Sequence, residues 1–333
     1  MRKILFFSML PIVILACESK PKNSVVIYSS NSEEQVREIV GGFEAETGIK
    51  VEMISAVTGE VFKRIKSERN NPYADVSWGG VDSIYKDNLD LFDEYVSQYN
   101  DDLLPEYRNI AGKVTIYCLD GSVLLVNKNR IGDIKIDGYA SLLNSELKGN
   151  IIMGDPSASG SAFAHLINML MAMGGGAIDS PAGWDYVREL LAINGGKIGS
   201  SSGAVHKSVA DGEYAVAVTY EDPSVTYFKS GAPVEVVYMK EGVVFNTSAM
   251  GVVKGAKHLE NARKFIDFVT SKQGQDIYGT KTATRPIRED AQLGGYMKPM
   301  SEINTLHPDY DYIGEHRNEI LDKYKAIFTA NNG

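Results

Sequence analysis

Two cysteines in 333 residues, and fewer basic than acidic side chains, exclude more about this chain than any abundance does. Cys17 and Cys118 are too few for a disulfide framework, so the fold has to rest on a packed core. The 34 basic against 43 acidic side chains, a formal charge of −9, exclude a nucleic-acid binder, whose phosphate contacts need clustered Lys and Arg. They do not exclude a small anionic ligand, because helix ends and local N–H groups can outweigh net charge. There is no internal repeat, no low-complexity tract and, beyond the N-terminus, no long apolar run. The remaining composition, 44% hydrophobic and 23% charged, is that of a globular chain long enough for two α/β units, each with its own core.

The one apolar run, Ile4 to Leu15, follows Arg2 and Lys3. It is shorter than the roughly 20 residues a membrane span needs, and it has the layout of a signal peptide. Ile14-Leu-Ala-Cys17 resembles a bacterial lipobox, which implies cleavage before Cys17 and a lipid on its sulfur. Without Arg2 and Lys3 the charged side chains number 32 basic and 43 acidic, a net −11. Residues 1–17 are thus expected to direct export, and 18–24 to form a short polar leash. Cys118, between Tyr117 and Leu119, is expected to be a small buried hydrophobe.

From residue 25 onward, strands and helices alternate, the pattern of a mainly parallel sheet with helices on its faces. Val25–Tyr28 reads as a first strand. Ser32 with Gln35 fits a capping box ahead of Val36, Ile39, Val40 and Phe43. Ile49, Val51 and Met53 alternate as a second strand, Thr58-Gly59-Glu60 opens a helix, and Ala74–Trp78 is a third strand closed by Gly79-Gly80. The run Thr115–Asn127 is too apolar for a loop and is expected to be a strand pair crossing to a second lobe. Val234–Tyr238 and Ala249–Val253 would form the return crossing. The helices at Leu259–Thr270 and Ile313–Phe328 would pack on the first lobe. This divides the chain into lobe 1 (25–120 and 245–333) and lobe 2 (121–244). The methionines at 169, 171 and 173 read as packing residues.

The chemistry-bearing residues lie where strands end and helices begin, the place where open α/β folds hold ligands. Ile198–Tyr227 is the densest such stretch. Gly199-Ser-Ser-Ser-Gly203 offers Ser201, Ser202 and backbone N–H groups at a helix start, with His206 one turn on. The apolar strand after it delivers Tyr220, Glu221 and Asp222. Asp155-Pro-Ser-Ala-Ser-Gly-Ser161 opens another helix with Ser157, Ser159 and Ser161, which either hold an oxyanion or simply cap the helix. Ser29, Ser30 and Asn31 end the first strand, and Thr58 and Gly59 open a helix likewise. Trp78 either stacks on a ligand or fills the lobe edge. Glu221 and Asp222 could accept hydrogen bonds from hydroxyls, although Asp222 also suits a helix cap, and Arg285 could reach an anion. The Gly199–Gly203 string also matches a nucleophile elbow, which makes an exported hydrolase the rival class. His206 lies too close in sequence for that motif's downstream histidine.

Several longer strings carry a family resemblance: YSSNSEEQVREIVGGFEAETGIKVEM, ADVSWGGVDSIY, GDPSASGSAF, VADGEYAVAVTYEDPSVTYFKSGAPVEVVY and EGVVFNTSAMGVVKGAKHLENARKFIDFVTSKQGQ. They resemble bacterial solute-binding proteins of ABC importers, in the branch that includes ferric-iron binders and relatives taking phosphorylated sugars or phosphonates. The resemblance implies a two-lobe α/β fold of periplasmic-binding-protein type II, hinged at two crossover strands. It implies a non-enzymatic lipoprotein on the outer side of a bacterial membrane, serving a permease and its ATPase. Members holding bare ferric ion use adjacent tyrosines, and no Tyr-Tyr pair occurs here. Under the iron alternative, Tyr220, Glu221 and Tyr227 would be the donors. The leading expectation is a small anionic solute with no resident cofactor.

Overall fold

The computed structural model describes residues 23–332; the leader, the lipobox Cys17 and most of the leash lie outside the described residues, and Ser24, expected to end the leash, already belongs to the first strand. β1 (Ser24–Ser29) is buried along its whole length. Its alternate residues face opposite sides of the sheet: Val25 and Ile27 join one core cluster, Val26 and Tyr28 another. α1 (Glu33–Thr47) starts where the Ser32 hydroxyl accepts the Gln35 N–H, one half of the expected capping box, and stops at Gly48 with φ 66°; the Gln35 side chain turns to Asp222 and Thr284 rather than back to Ser32. β2 (Lys50–Ser55) pairs parallel to β1, and α2 (Thr58–Glu68) lays Val61, Phe62 and Ile65 on the sheet. β3 (Val76–Val81) also pairs with β1 and leads into α3 (Asp82–Lys86). This strand does not stop at Trp78 as expected. It bends through Gly79 and Gly80, both at positive φ, to Val81.

β4 (Thr115–Asn127) is a single strand, not the expected strand pair. After it come β5 (Ile151–Met153), α4 (Gly160–Met173), α5 (Pro181–Asn194), α6 (Ser202–Ala210), β6 (Val216–Tyr220), α7 (Glu221–Lys229) and β7 (Val234–Val237). β8 (Val243–Val252), α8 (Leu259–Thr270), α9 (Lys272–Thr280), β9 (Thr305–Leu306) and α10 (Tyr310–Asn332) complete the chain. The strand order is β2-β1-β3-β8-β4-β6-β5, with β7 beside β4 and β9 beside β8. β4 joins the two lobes by changing partners. Thr115 to Gly121 pair with β8, and Ser122 to Asn127 pair with β6 and β7. β8 alone makes the return crossing. β7, expected to take part in it, instead pairs antiparallel with β4 inside the second lobe.

The C-terminal helix also departs from expectation. α10 packs on α5 of the second lobe, because Ile313, Ile320, Tyr324 and Ile327 belong to the same buried cluster as Trp184 and Leu190. Two cations extend that contact: Arg317 lies 3.8 Å over the Phe163 ring and Lys323 4.5 Å over Trp184.

Gly121 sits at the partner switch, where an added Cβ would lie 2.6 Å from Phe245 Cε1. Gly121→Val is expected to destabilise the fold by about 1–3 kcal/mol. Urea unfolding followed by far-UV circular dichroism checks this, and an unchanged midpoint would show that Phe245 can move aside.

Candidate functional site

β5 and β6 run parallel, with Met153 opposite Val218, so the loops that follow them leave the sheet at the same edge. The β5 loop ends at Ser159, which caps α4 by accepting the Ala162 N–H at 3.3 Å. Ile198 bridges to Met153, and the small-residue turn after it ends at Ser201, which caps α6 through the Ala204 N–H at 3.2 Å. The two helix starts therefore meet. The Ser159, Ser161 and Ser202 hydroxyls form a triangle with sides of 3.0, 3.0 and 3.1 Å. Beneath them lies a cavity of about 10 Å³ floored by Gly154, Val205 and Val218. Ser201 is exposed beside the cluster. Ser157 does not join it: it is exposed and lines a different cavity, against α10.

His206 follows Ser202 by one helical turn on the same face of α6. Its ring is buried, 5.9 Å from each of the Tyr220 and Tyr227 rings, and burial pushes its pKa down to about 4. The imidazole is therefore neutral near pH 7, and its Nδ1 has no hydrogen-bond partner. No hydrogen bond joins His206 to Ser201. The nucleophile-elbow arrangement is absent, and Ser201 is a helix cap.

α7 begins differently. Tyr220 gives it no side-chain cap; instead the Asp120 carboxylate, reaching from β4, accepts the Asp222 N–H at 3.2 Å. Burial, with the Asp222 and Glu221 charges, pushes the Asp120 carboxyl well above the usual range. Burial also raises Asp222. Asp222 Oδ2 accepts from Gln35 at the start of α1 and from Thr284, both at 3.3 Å, which ties the α7 start to the first lobe.

Glu221, expected to accept hydrogen bonds from a ligand, is instead turned toward Arg285. Both it and Arg285 are 1% exposed, and they form a two-pronged ion pair of 2.5 and 3.2 Å. The Tyr238 hydroxyl also donates to Glu221, and Arg285 Nη1 donates to the Lys298 carbonyl at 2.8 Å. Arg285, expected to reach an anion, is consumed by this pair. Trp78 is not at the surface either: it is fully buried, edge-on to Phe265 at 5.3 Å.

In the first lobe the Ser30 hydroxyl accepts from Thr58 at 3.0 Å, and Asn31 Oδ1 accepts from the Tyr117 hydroxyl at 2.7 Å. Ser29 is buried and accepts the Asn31 N–H. Gly79 is required here, at φ 116° with a hypothetical Cβ only 2.7 Å from Ser30 Oγ. Gly59 is exposed, with nothing within 4 Å of its Cβ position. Asp120, Tyr117 and Gln35 were missed from sequence. Asp120 had a visible signal, since it is the sole charge within the apolar run Thr115–Asn127. Among the described residues, no three His, Cys, Asp or Glu side chains gather as a metal site.

A model of the bacterial extracellular solute-binding proteins matches residues 25–281. This chain belongs to that family. The Iron uptake protein A1 of Synechocystis is 26% identical over 88% of the chain and 84% of its own length. The Putative 2-aminoethylphosphonate-binding periplasmic protein of Salmonella typhimurium is 23% identical over 74% of this chain and 72% of that one. Among solved structures, the periplasmic binding protein AfuA of Actinobacillus pleuropneumoniae, with fructose-6-phosphate bound, is 25% identical with a TM-score of 0.75 over 93% of this solute-binding protein and 99% of AfuA. The periplasmic-binding-protein fold expected from the sequence is thus found, with the two sheets joined through β4 and β8.

Two outcomes test the supports of the site. Removing one member of a buried ion pair strands the other, so Glu221→Gln or Arg285→Met is expected to cost about 3–5 kcal/mol in denaturant unfolding. The second concerns His165, buried on α4, whose Nδ1–H donates to the Thr219 carbonyl at 2.7 Å and whose Nε2 accepts from Tyr139. Burial lowers its pKa from 6.5 to about 4. The unfolded chain therefore takes up that proton first: the stability is present above pH 6.5 and is lost as pH falls toward 4. His165→Gln should remove a share of that acid sensitivity, up to about 3 kcal/mol. The difference between wild type and variant should shrink from pH 7 to pH 4; a constant difference would refute it.

Proposed function

We propose that this solute-binding protein captures a small phosphorylated or phosphonate-bearing solute and hands it to the permease of an ABC importer, without chemistry. The observation that supports this most is the serine triangle spanning the starts of α4 and α6. A helix start favours negative charge, and its free N–H groups point at the ligand. The α7 start is already filled by the Asp120 carboxylate, which directs an incoming oxyanion to α4 and α6 instead. The cavity beneath the serines is too small for more than a water, so the oxyanion would sit at its mouth and take the three hydroxyls from one another. Ser30, Asn31 and Thr58 would face the solute from the first lobe, with His206 and Asp222 toward its polar remainder. AfuA with its sugar phosphate and the phosphonate-binding relative accord with this choice.

Iron is the second reading, because of the iron uptake relative and because Tyr220 and Tyr227 flank one histidine. It loses Glu221 to the Arg285 pair. Burial and the neighbouring Asp120 and Asp222 raise the Tyr220 phenol, which opposes tyrosinate formation. Anchoring by a lipidated Cys17 is part of the proposal, and labelling of the exported protein would test it.

Calorimetric titration with glucose-6-phosphate, 2-aminoethylphosphonate, inorganic phosphate and ferric citrate tests the assignment. Ser161 and Ser202 are not helix caps, so Ser161→Ala and Ser202→Ala should fold normally. Each should weaken phosphate-ester or phosphonate binding about tenfold or more, the value of a hydrogen bond to a charged group. A tyrosinate–iron absorption band with no phosphorus-ligand binding would overturn the reading.

A further inference from the structure

In a full capping box the Gln35 side chain would return to Ser32, but here it leaves its own helix. Its amide nitrogen carries two hydrogens. One goes to Asp222 Oδ2 at 3.3 Å, on α7 of the second lobe, and the other to the Thr284 hydroxyl. Thr284 donates its own single hydrogen to the same Asp222 oxygen, also at 3.3 Å. Every donor of this three-way contact is used, and both Gln35 and Thr284 are buried. Among the described residues, Gln35 is the one side chain of α1 that hydrogen-bonds the second lobe. The rest of the seam is held differently. Arg285, next to Thr284, bridges to Leu119 in the first-lobe half of β4, and its buried pair with Glu221 fixes the start of α7 against that segment. Val225 of α7 shares a buried apolar cluster with Ala283 and Met297. One end of the seam is therefore an ion pair backed by packing, whose separation would strand two buried charges. The α1 end is a single amide, whose hydrogen bonds can break and remake at small cost when the lobe angle changes.

We propose that Gln35 is a latch between the lobes: its amide, closed on Asp222 and Thr284, holds the start of α1 against the start of α7 and sets the resting angle of the cleft. Moving the lobes past that angle frees the amide, while the Glu221–Arg285 pair stays made as the fixed point. The latch acts on the lobes alone and calls for no particular solute, so its failure would leave the transport reading standing.

The mature chain with Cys17→Ser would carry spin labels at Lys66→Cys on α2 and Glu189→Cys on α5, both exposed, while Cys118 is buried and takes no label. Pulsed electron double resonance then reads the distances between the lobes with no solute added. Gln35→Glu keeps the side chain's size but sets a carboxylate against Asp222, and Thr284→Val keeps the shape but loses the hydroxyl. A hydrogen bond to a charged group is worth about tenfold, so each variant should lower the latched-to-unlatched ratio by that factor or more. The readout is a distance distribution displaced from, or broader than, that of the chain with Gln35 and Thr284 intact. Gln35→Ala leaves the backbone N–H at 35 on Ser32 and is read in the same way if Gln35→Glu loses its far-UV circular dichroism. An unchanged distribution in every variant that folds would overturn the proposal.

Discussion

Every helix begins with backbone N–H groups that its own turns cannot satisfy, and the way this chain satisfies them orders its chemistry. α1 and α9 use the ordinary local device, a serine hydroxyl one position ahead of the helix. α7 is completed from outside its own segment, by a carboxylate on β4. α4 and α6 have serine caps too, but further hydroxyls, Ser161 and Ser202, crowd the same spot and bond only to one another and to Ser159. Two helix starts thus meet at neutral hydroxyls, while the third is neutralised. That asymmetry distinguishes two helix starts that meet at hydroxyls from one closed by an acidic side chain.

The Glu221–Arg285 pair occupies the seam between the lobes. Arg285 bridges to Leu119 on β4, while Glu221 opens α7. Desolvating two charges is costly, and further partners offset part of that cost: Tyr238 donates to the carboxylate and the Lys298 carbonyl accepts from the guanidinium. Such a contact specifies one arrangement of its neighbours more than it adds stability. It holds Asp222 where Gln35 and Thr284 can both reach it.

Much of the fold was legible because local signals agreed with the tertiary outcome. The Ser32 cap, the first strand over Val25–Tyr28 and the helix over Leu259–Thr270 were each visible in the local pattern and are found where expected. The serine triangle was half legible: the two turns were visible, but not that parallel pairing of β5 and β6 would bring them within a hydrogen bond. What failed depended on long-range partners. Glu221 looked like a free carboxylate because Arg285 lies 64 residues away. Trp78 looked terminal because the glycines after it continue the strand rather than end it. α10 carries an apolar stripe that either lobe could have covered, and only the second offered Trp184 and Phe163 to its cations.

The uninterrupted β4 has a mechanical consequence. Its ladder with β8 ends at Gly121 and its ladder with β6 starts at Ser122, so the two halves share a covalent axle but no cross-strand rung at that joint. A swing of one sheet against the other therefore needs torsion at this joint together with a matching turn in the β8 crossing, and it would stretch the Asp222 bonds to Gln35 and Thr284 before any rung on either side.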